Sequence, residues 1–401
     1  MKDILKRLNL RFDRSEISGS LGDLGTFLPL AVGMASRCGM NLGHILFFAG
    51  VMNLGSGLMF GIPVAVQPMK VIAAVAIAEG LDAPSIAAAG ILAGAVVMIL
   101  GVTGLIGILG KIIPGAVVRG LQLAIGIKLI LSGLDMARAS GFGLTADSAF
   151  TAVALFIFVL IFIRHRNIPV AMILFLIGMT LVFYNNPRAW GSLRAGWEFP
   201  GLLTLTGADF VSGFVKGTMP QIPLTILNSV IAVCALSGDL FPDRPLDARK
   251  IVASIGFMTL IACPLGGMPM CHGAGGLAAQ YRFGARTGGS VVFLGLAKIA
   301  LALAFGGSLL TIISLFPGSV LGVLLIFAGW QMAVVCKDIR AKREATFLAL
   351  TASACLLFGM AAGFAAGLVV VLSLDRWIPR SESGPTRKNL AAGTTVAEES
   401  D

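Results

Sequence analysis

From Ser18 to Leu374 the chain runs through one apolar segment after another, separated by short polar or basic loops, and this most limits what it can fold into. In hydrocarbon each backbone N–H and C=O must find its partner inside the protein, so such segments can only be helices or a closed barrel. The composition of 57% hydrophobic and 12% charged residues, with a mean hydropathy of +0.92 over 401 residues, excludes a water-soluble globular domain. Fourteen segments emerge: 18–37, 42–60, 69–79, 84–109, 113–133, 147–163, 169–184, 213–237, 248–263, 272–280, 288–310, 316–335, 345–359 and 361–374. The expected fold class is an all-α polytopic membrane protein. Only the third and tenth segments are plainly too short to cross a bilayer alone.

Both short segments follow a break in the hydrophobic pattern. The first break is Pro63-Val64-Ala65-Val66-Gln67-Pro68-Met69-Lys70; the second runs from Pro264 through Gly266, Gly267, Pro269, Cys271 and His272 to Gly276. Non-helical backbone at membrane depth is tolerated only where protein or a cavity surrounds it, and a matched pair of such breaks marks a transporter's binding site.

The basic residues give an orientation. With the N-terminus inside, twenty-one Lys and Arg fall on cytoplasmic loops and four (Arg37, Arg138, Arg188, Arg194) outside, five more lying in or beside the segments. An even number of spans puts both termini in the cytoplasm. The net charge of +10 thus reflects topology and calls for no nucleic-acid partner. The first apolar run carries Asp23 and Pro29 and no cleavage site, so it reads as a retained span rather than a signal peptide. Six cysteines without Cys-x-x-Cys spacing imply neither a disulfide framework nor a metal centre, and three histidines give no zinc pattern.

Two alignments divide the chain. Ile113 to Gly126 matches Phe316 to Gly329 at an offset of 203, and Pro68-Met69 matches Pro269-Met270 at an offset of 201. Seven spans separate equivalent segments, and because seven is odd the halves must enter the membrane in opposite senses. The expected organisation is a cytoplasmic N-terminus (1–17), a first inverted repeat (18–184), an external linker (185–212), a second repeat (213–374) and a disordered cytoplasmic tail (375–401). The third and tenth helices would then meet near the midplane with their N-termini facing across a cavity, where free N–H groups and the helix dipoles favour a small oxyanion.

Each candidate residue has two readings. Lys70 either attracts the oxyanion or snorkels and pairs with a carboxylate. Gln67 either donates to a substrate oxygen or patches the broken backbone; Pro68 and Met69 complete that wall. Cys271, His272, Gly273 and Ala274 open the tenth helix, the glycine admitting close backbone approach, while His272 is a ligand donor, a proton carrier or a cap. Asp23 is an ion-coupling group or a counter-ion to Lys70 or Arg119. Thr26, Asn228 and Ser229 offer neutral hydrogen bonds to a substrate or to neighbouring helices.

The segments Gly22-Asp23-Leu24-Gly25-Thr26-Phe27-Leu28-Pro29, Gln67-Pro68-Met69-Lys70, Pro223 to Val230 and Cys271-His272-Gly273-Ala274-Gly275-Gly276-Leu277-Ala278 resemble the molybdate transporter family related to the SulP sulfate permeases. This resemblance covers about Ser18 to Leu374. It implies a seven-plus-seven inverted repeat, with spans 1–4 and 8–11 as a core and 5–7 and 12–14 as a gate. It also implies uptake of molybdate, a tetrahedral dianion, across the cytoplasmic membrane, and relatives of such a fold often form homodimers. The sulfate permeases' cytoplasmic STAS domain would need on the order of a hundred residues, and the 27 after Leu374 imply the branch without it. The residues themselves reach "small oxyanion"; the resemblance selects molybdate.

The expected function is a secondary transporter with no cofactor. No Gly-x-x-x-x-Gly-Lys-Ser/Thr motif points to ATP coupling. The alternatives are a sulfate carrier of the same fold and an anion channel with a continuous pore. A nucleobase carrier would place carboxylates in segments 213–237 and 272–280, which have none. A membrane enzyme lacks any triad or paired-carboxylate pattern.

Overall fold

Helix caps written into the sequence set most element boundaries of the protein. The structure, a computed structural model, describes residues 10–141, 143, 145–162, 165, 168–193 and 195–377. In chain order it contains α1 (Arg14–Ser20), a 3-10 turn (Leu21–Asp23), α2 (Leu24–Cys38), α3 (Leu42–Phe60), β1 (Val66–Pro68), α4 (Lys70–Glu79), α5 (Ala83–Val102), α6 (Leu105–Ile112) and α7 (Gly115–Ala139). There follow α8 (Ala149–Phe162), α9 (Val170–Asn185), α10 (Ala189–Ser192), α11 (Gly207–Leu240, with two π-helical stretches), α12 (Ala248–Ala262) and β2 (Met270–His272). The last elements are α13 (Ala274–Arg282), α14 (Gly289–Ser314), α15 (Gly318–Val334), α16 (Lys342–Phe358) and α17 (Met360–Trp377).

Asn41 and Asp82 accept from the first-turn amides of α3 and α5, while Gly39, Gly61 and Gly80 end α2, α3 and α4 with positive φ. Asp13 does the same for α1 outside the apolar segments, where the Ser15 hydroxyl and the Glu16 amide hold its carboxyl below the usual range. Among the described residues, seven helices are long and apolar enough to cross a membrane, and three more apolar helices are shorter.

Several sequence expectations are corrected. The class is not purely α, because the two breaks pair as a two-stranded antiparallel sheet. Segment 84–109 is not one helix: Gly104, at φ 72°, turns the chain between α5 and α6. The linker 185–212 is shorter than expected, since α9 runs to Asn185 and α11 begins at Gly207 under a Thr206–Asp209 capping box. The N-terminal stretch 1–17 already contains the start of α1, and α17 continues to Trp377. The remainder of the tail, residues 1–9 and the loop residues Arg164, Arg166 and Arg194 lie outside the described residues.

Helices cross where side chains vanish. A Cβ on Gly126 of α7 would lie 2.7 Å from the Gly329 carbonyl oxygen of α15, and one on Gly329 would meet the Gly126 carbonyl in return. Gly133 and Gly322 repeat this reciprocal contact one heptad away. Gly43, Gly50 and Gly57 seat α3 against Gly306, Gly295 and Gly288 of α14 in the same manner. Close backbone approach of this sort is how membrane helices gain packing without a hydrophobic driving force. It holds α3 and α14 directly against each other.

Candidate functional site

Prolines dictate the local structure of the breaks. Pro63, Pro68, Pro264 and Pro269 cannot donate to a helix ladder, so the chain leaves the α-helix at each break, through a 3-10 turn at Cys263–Leu265 in the second, and then runs extended. Val66 then faces His272, Gln67 faces Cys271 and Pro68 faces Met270, with the Met69 amide donating to the Pro269 carbonyl at 2.9 Å. Helices α3 and α12 satisfy what the strands leave over. Asn53 Oδ1 accepts from the Val66 amide at 2.8 Å, the Ser56 hydroxyl donates to the Val64 carbonyl, and Thr259 Oγ1 donates to the Met270 carbonyl at 2.8 Å. Side chains of the neighbouring helices thereby pair irregular backbone in an apolar setting.

The strands and the helices after them are spaced by 204 residues, Val66 to Met270 and Lys70 to Ala274, three more than the offset of the Pro68-Met69 and Pro269-Met270 match. By element order Pro68 closes β1, whereas Pro269 precedes β2. Gln67 corresponds to Cys271, and Lys70 to Ala274.

A chain of polar side chains threads this sheet. Gln67 Nε2 donates to Asp23 Oδ1 at 2.7 Å, and Lys70 Nζ donates to Gln67 Oε1 at 3.1 Å. Asp23 is wholly buried, and its other oxygen lies 4.0 Å from Lys298 Nζ of α14 without a hydrogen bond. Both ends of the Gln67 carboxamide are thus engaged, so it orients Lys70 and keeps one of its two N–H donors uncommitted. Lys70 itself is half-buried, with no carboxylate within ion-pair distance among the described residues. The pairing that sequence reading considered for Asp23 with Arg119 does not occur, since Arg119 binds Asp338 at 2.9 Å.

The glycines of the second break make room for this chain. A Cβ on Gly273 would collide with Gln67 Oε1 and lie 3.1 Å from Lys70 Nζ, and one on Gly276 would lie 2.5 Å from Gln67 Nε2 and 3.2 Å from Asp23 Oδ1. Their close approach, expected to serve a ligand, serves the first half's side chains.

The two helix starts differ as well. Gln221 of α11 turns its Oε1 to the amides of Val71 and Ile72, at 2.9 and 3.4 Å, and anchors its Nε2 on Thr225 Oγ1 at 2.9 Å. The first turn of α4 is therefore capped by protein. At α13 the Ala274 and Gly275 amides take no acceptor among the described residues, and both residues reach the surface, Gly275 being exposed.

The remaining candidates divide into two groups. Thr26 and Asn228 are half-buried, Asn228 within a π-helical stretch of α11 of the kind that recurs at functional sites. Ser229 is buried against the Cys271 thiol, which also lies 3.8 Å from the Pro68 carbonyl; Pro68 and Met69 are buried backbone supports. His272 points away from the cleft. Its Nε2 meets Ser254 Oγ at 3.0 Å, its Nδ1 lies 3.3 Å from the Ala65 carbonyl, and its ring is edge-on to Phe60. Both ring nitrogens are thus engaged by protein in a buried setting. No group of three or more His, Cys, Asp or Glu that could hold a metal occurs among the described residues.

Sequence reading passed over Lys298 and Gln221 as site residues. Lys298 is the lone charge in an apolar run, a signal as strong as Lys70's, whereas Gln221 showed only as a polar residue between Pro220 and Pro223.

Comparison with known proteins gives the family and the fold. A family model described as "Molybdate transporter of MFS superfamily" matches residues 15–129 and 213–332. Molybdate transporter 1 of Arabidopsis thaliana is 38% identical, with 91% of this chain and 89% of the relative covered. The chain belongs to the molybdate transporter family. Molybdate transporter 2 of Arabidopsis thaliana is 40% identical (90% and 87% covered), and molybdate transporter 1 of Chlamydomonas reinhardtii 34% identical (90% and 91% covered). Among solved structures, the transmembrane domain of the cyanobacterial bicarbonate transporter BicA aligns with a TM-score of 0.63 at 15% identity, covering 87% of this chain and 97% of that one. The murine anion transporter Slc26a9 in its inward-facing state aligns with a TM-score of 0.69 at 14% identity, covering 93% and 70%. This molybdate transporter family member thus has the SLC26-like fold, although the family's description carries another superfamily's name.

Proposed function

We infer that the protein is a secondary active transporter that imports molybdate across the cytoplasmic membrane by alternating access. The observation that carries this reading is the half-buried, carboxylate-free Lys70 beside the open amides of Ala274 and Gly275. A fixed cation and a helix N-terminus converge there on one cleft. The anion would sit against Lys70 Nζ and those amides, with Thr26 and Asn228 as neutral donors at the rim. Asp23, one carboxamide away from Lys70, is the group for proton coupling.

The carrier would have fourteen spans in a seven-plus-seven inverted repeat, with both termini cytoplasmic. Support comes from the 204-residue spacing across the sheet and from the reciprocal glycine contacts of α7 and α15, which begin 203 residues apart at Gly115 and Gly318. Helices α2 to α5 and α11 to α14 would form the core, and α7 to α9 with α15 to α17 the gate. Gly25 of α2 faces Gln331 of α15 across their interface, where a Cβ would lie 3.4 Å from Nε2, leaving a thin seam for sliding. A homodimer is the proposed assembly.

Uptake of labelled molybdate into proteoliposomes, with an inward proton gradient and sulfate as competitor, tests the reading. Molybdate should accumulate against its gradient and resist equimolar sulfate. Equal or greater sulfate uptake would make the protein a sulfate carrier, and currents far above carrier turnover would make it a channel.

A further inference from the structure

Lys298 has no part in the reading above, yet its position is costly. It lies on α14, 3% exposed, with its ammonium 3.4 Å from the centroid of the Phe27 ring and 4.0 Å from Asp23 Oδ2. Neither Lys298 Nζ nor Asp23 Oδ2 makes a hydrogen bond. Buried charges persist where their sum is balanced, and an uncompensated one is strongly destabilising.

The local sum is informative. The titratable groups facing Asp23 are Lys298 from α14, Lys70 from α4 and the Cys271 thiol from β2; Gln67 and Gly276 complete its surroundings. With Asp23 ionised, the two lysines leave one positive charge, which a monoanion balances. With Asp23 carrying a proton on the free Oδ2, they leave two, which a dianion balances. The proton comes from the water that delivers the anion and leaves with it on the other side, so charge and atoms balance over the cycle.

We propose that Lys298 is the residue that makes this site a dianion site, supplying the second fixed positive charge and tying dianion entry to one proton on Asp23. This rests on the oxyanion site proposed at Lys70 and α13. It acts through charge rather than contact: Phe27 covers one face of the ammonium and Asp23 flanks it.

Perrhenate is the probe that separates charge from shape, being tetrahedral like molybdate but singly charged. Full-length protein in proteoliposomes should take up molybdate faster as the outside is acidified, and perrhenate without dependence on external pH. Lys298→Gln should lower molybdate uptake at least tenfold, keep perrhenate uptake within about twofold, and make it rise with external acidity, because Asp23 must then be protonated to leave one positive charge. Lys298→Arg should restore the preference for molybdate. Equal loss of both anions from a variant that keeps its melting transition would assign Lys298 to architecture alone and overturn the proposal. So would unchanged selectivity. Wild-type protein that moves neither anion would overturn the oxyanion reading and this inference with it.

Discussion

The first break brings long side chains to its helix start, and the second brings almost none. Around Lys70 the chain places a carboxamide and an ammonium; at the corresponding positions Cys271 and Ala274 it places a buried thiol and a methyl group, with glycines at 273, 275 and 276. Backbone symmetry and side-chain asymmetry are linked here, because Gly273 and Gly276 are the space into which Gln67 and Lys70 extend. In the proposed site the two helix starts would supply a charged wall and an amide wall, each shaped by the other. Even the capping is divided: α4 has its first-turn amides covered by Gln221, while α13 keeps two open.

The largest effect should come from removing the charged wall. Lys70→Ala should weaken molybdate binding by about 2–5 kcal/mol, the usual loss when one partner of a hydrogen-bonded charge contact is truncated. Titration calorimetry on purified protein measures this, and an unchanged Kd would make the two walls equivalent.

Next in size is the fit between the walls. Gly276→Ala drives a methyl group against the Gln67 carboxamide and should cost about 1–3 kcal/mol of stability, as overpacking does, read as a lower melting temperature in detergent. Adding Gln67→Ala should recover much of that loss. If the double variant is no more stable than the single one, the glycine answers to something other than Gln67.

Part of this was legible in the residues and part was not. Apolar run length and the loop arginines and lysines are local signals, so the helical segments and the two breaks stand out directly. The Lys70, Gly273 and Ala274 cluster follows from the breaks. The role of Gln67 did not, because a carboxamide's partners depend on Asp23 and Gly276, which reach it from 44 and 209 residues away in the chain. The surroundings of His272 were not legible either: its proximity to the helix start in sequence says nothing of the side it faces, and in β2 its ring meets Ser254.

The smallest effect is expected at the capped helix start. Gln221→Leu removes the acceptor for the Val71 and Ile72 amides and should cost about 0.5–2 kcal/mol of stability, in the range of an N-cap loss, while molybdate affinity changes less than threefold. A gain in affinity beyond tenfold would mean that α4's amides, once freed, serve the anion too, and the asymmetry between the starts would be a regulated one.

The central claim is that both breaks build one anion site, and the molybdenum atom can report its own position. Anomalous diffraction from molybdate-soaked crystals, collected at the molybdenum absorption edge, should give a single peak within hydrogen-bonding reach, through its oxygens, of Lys70 Nζ and the Ala274 and Gly275 amides. A peak elsewhere in protein that transports molybdate, with that cleft empty, would contradict the account.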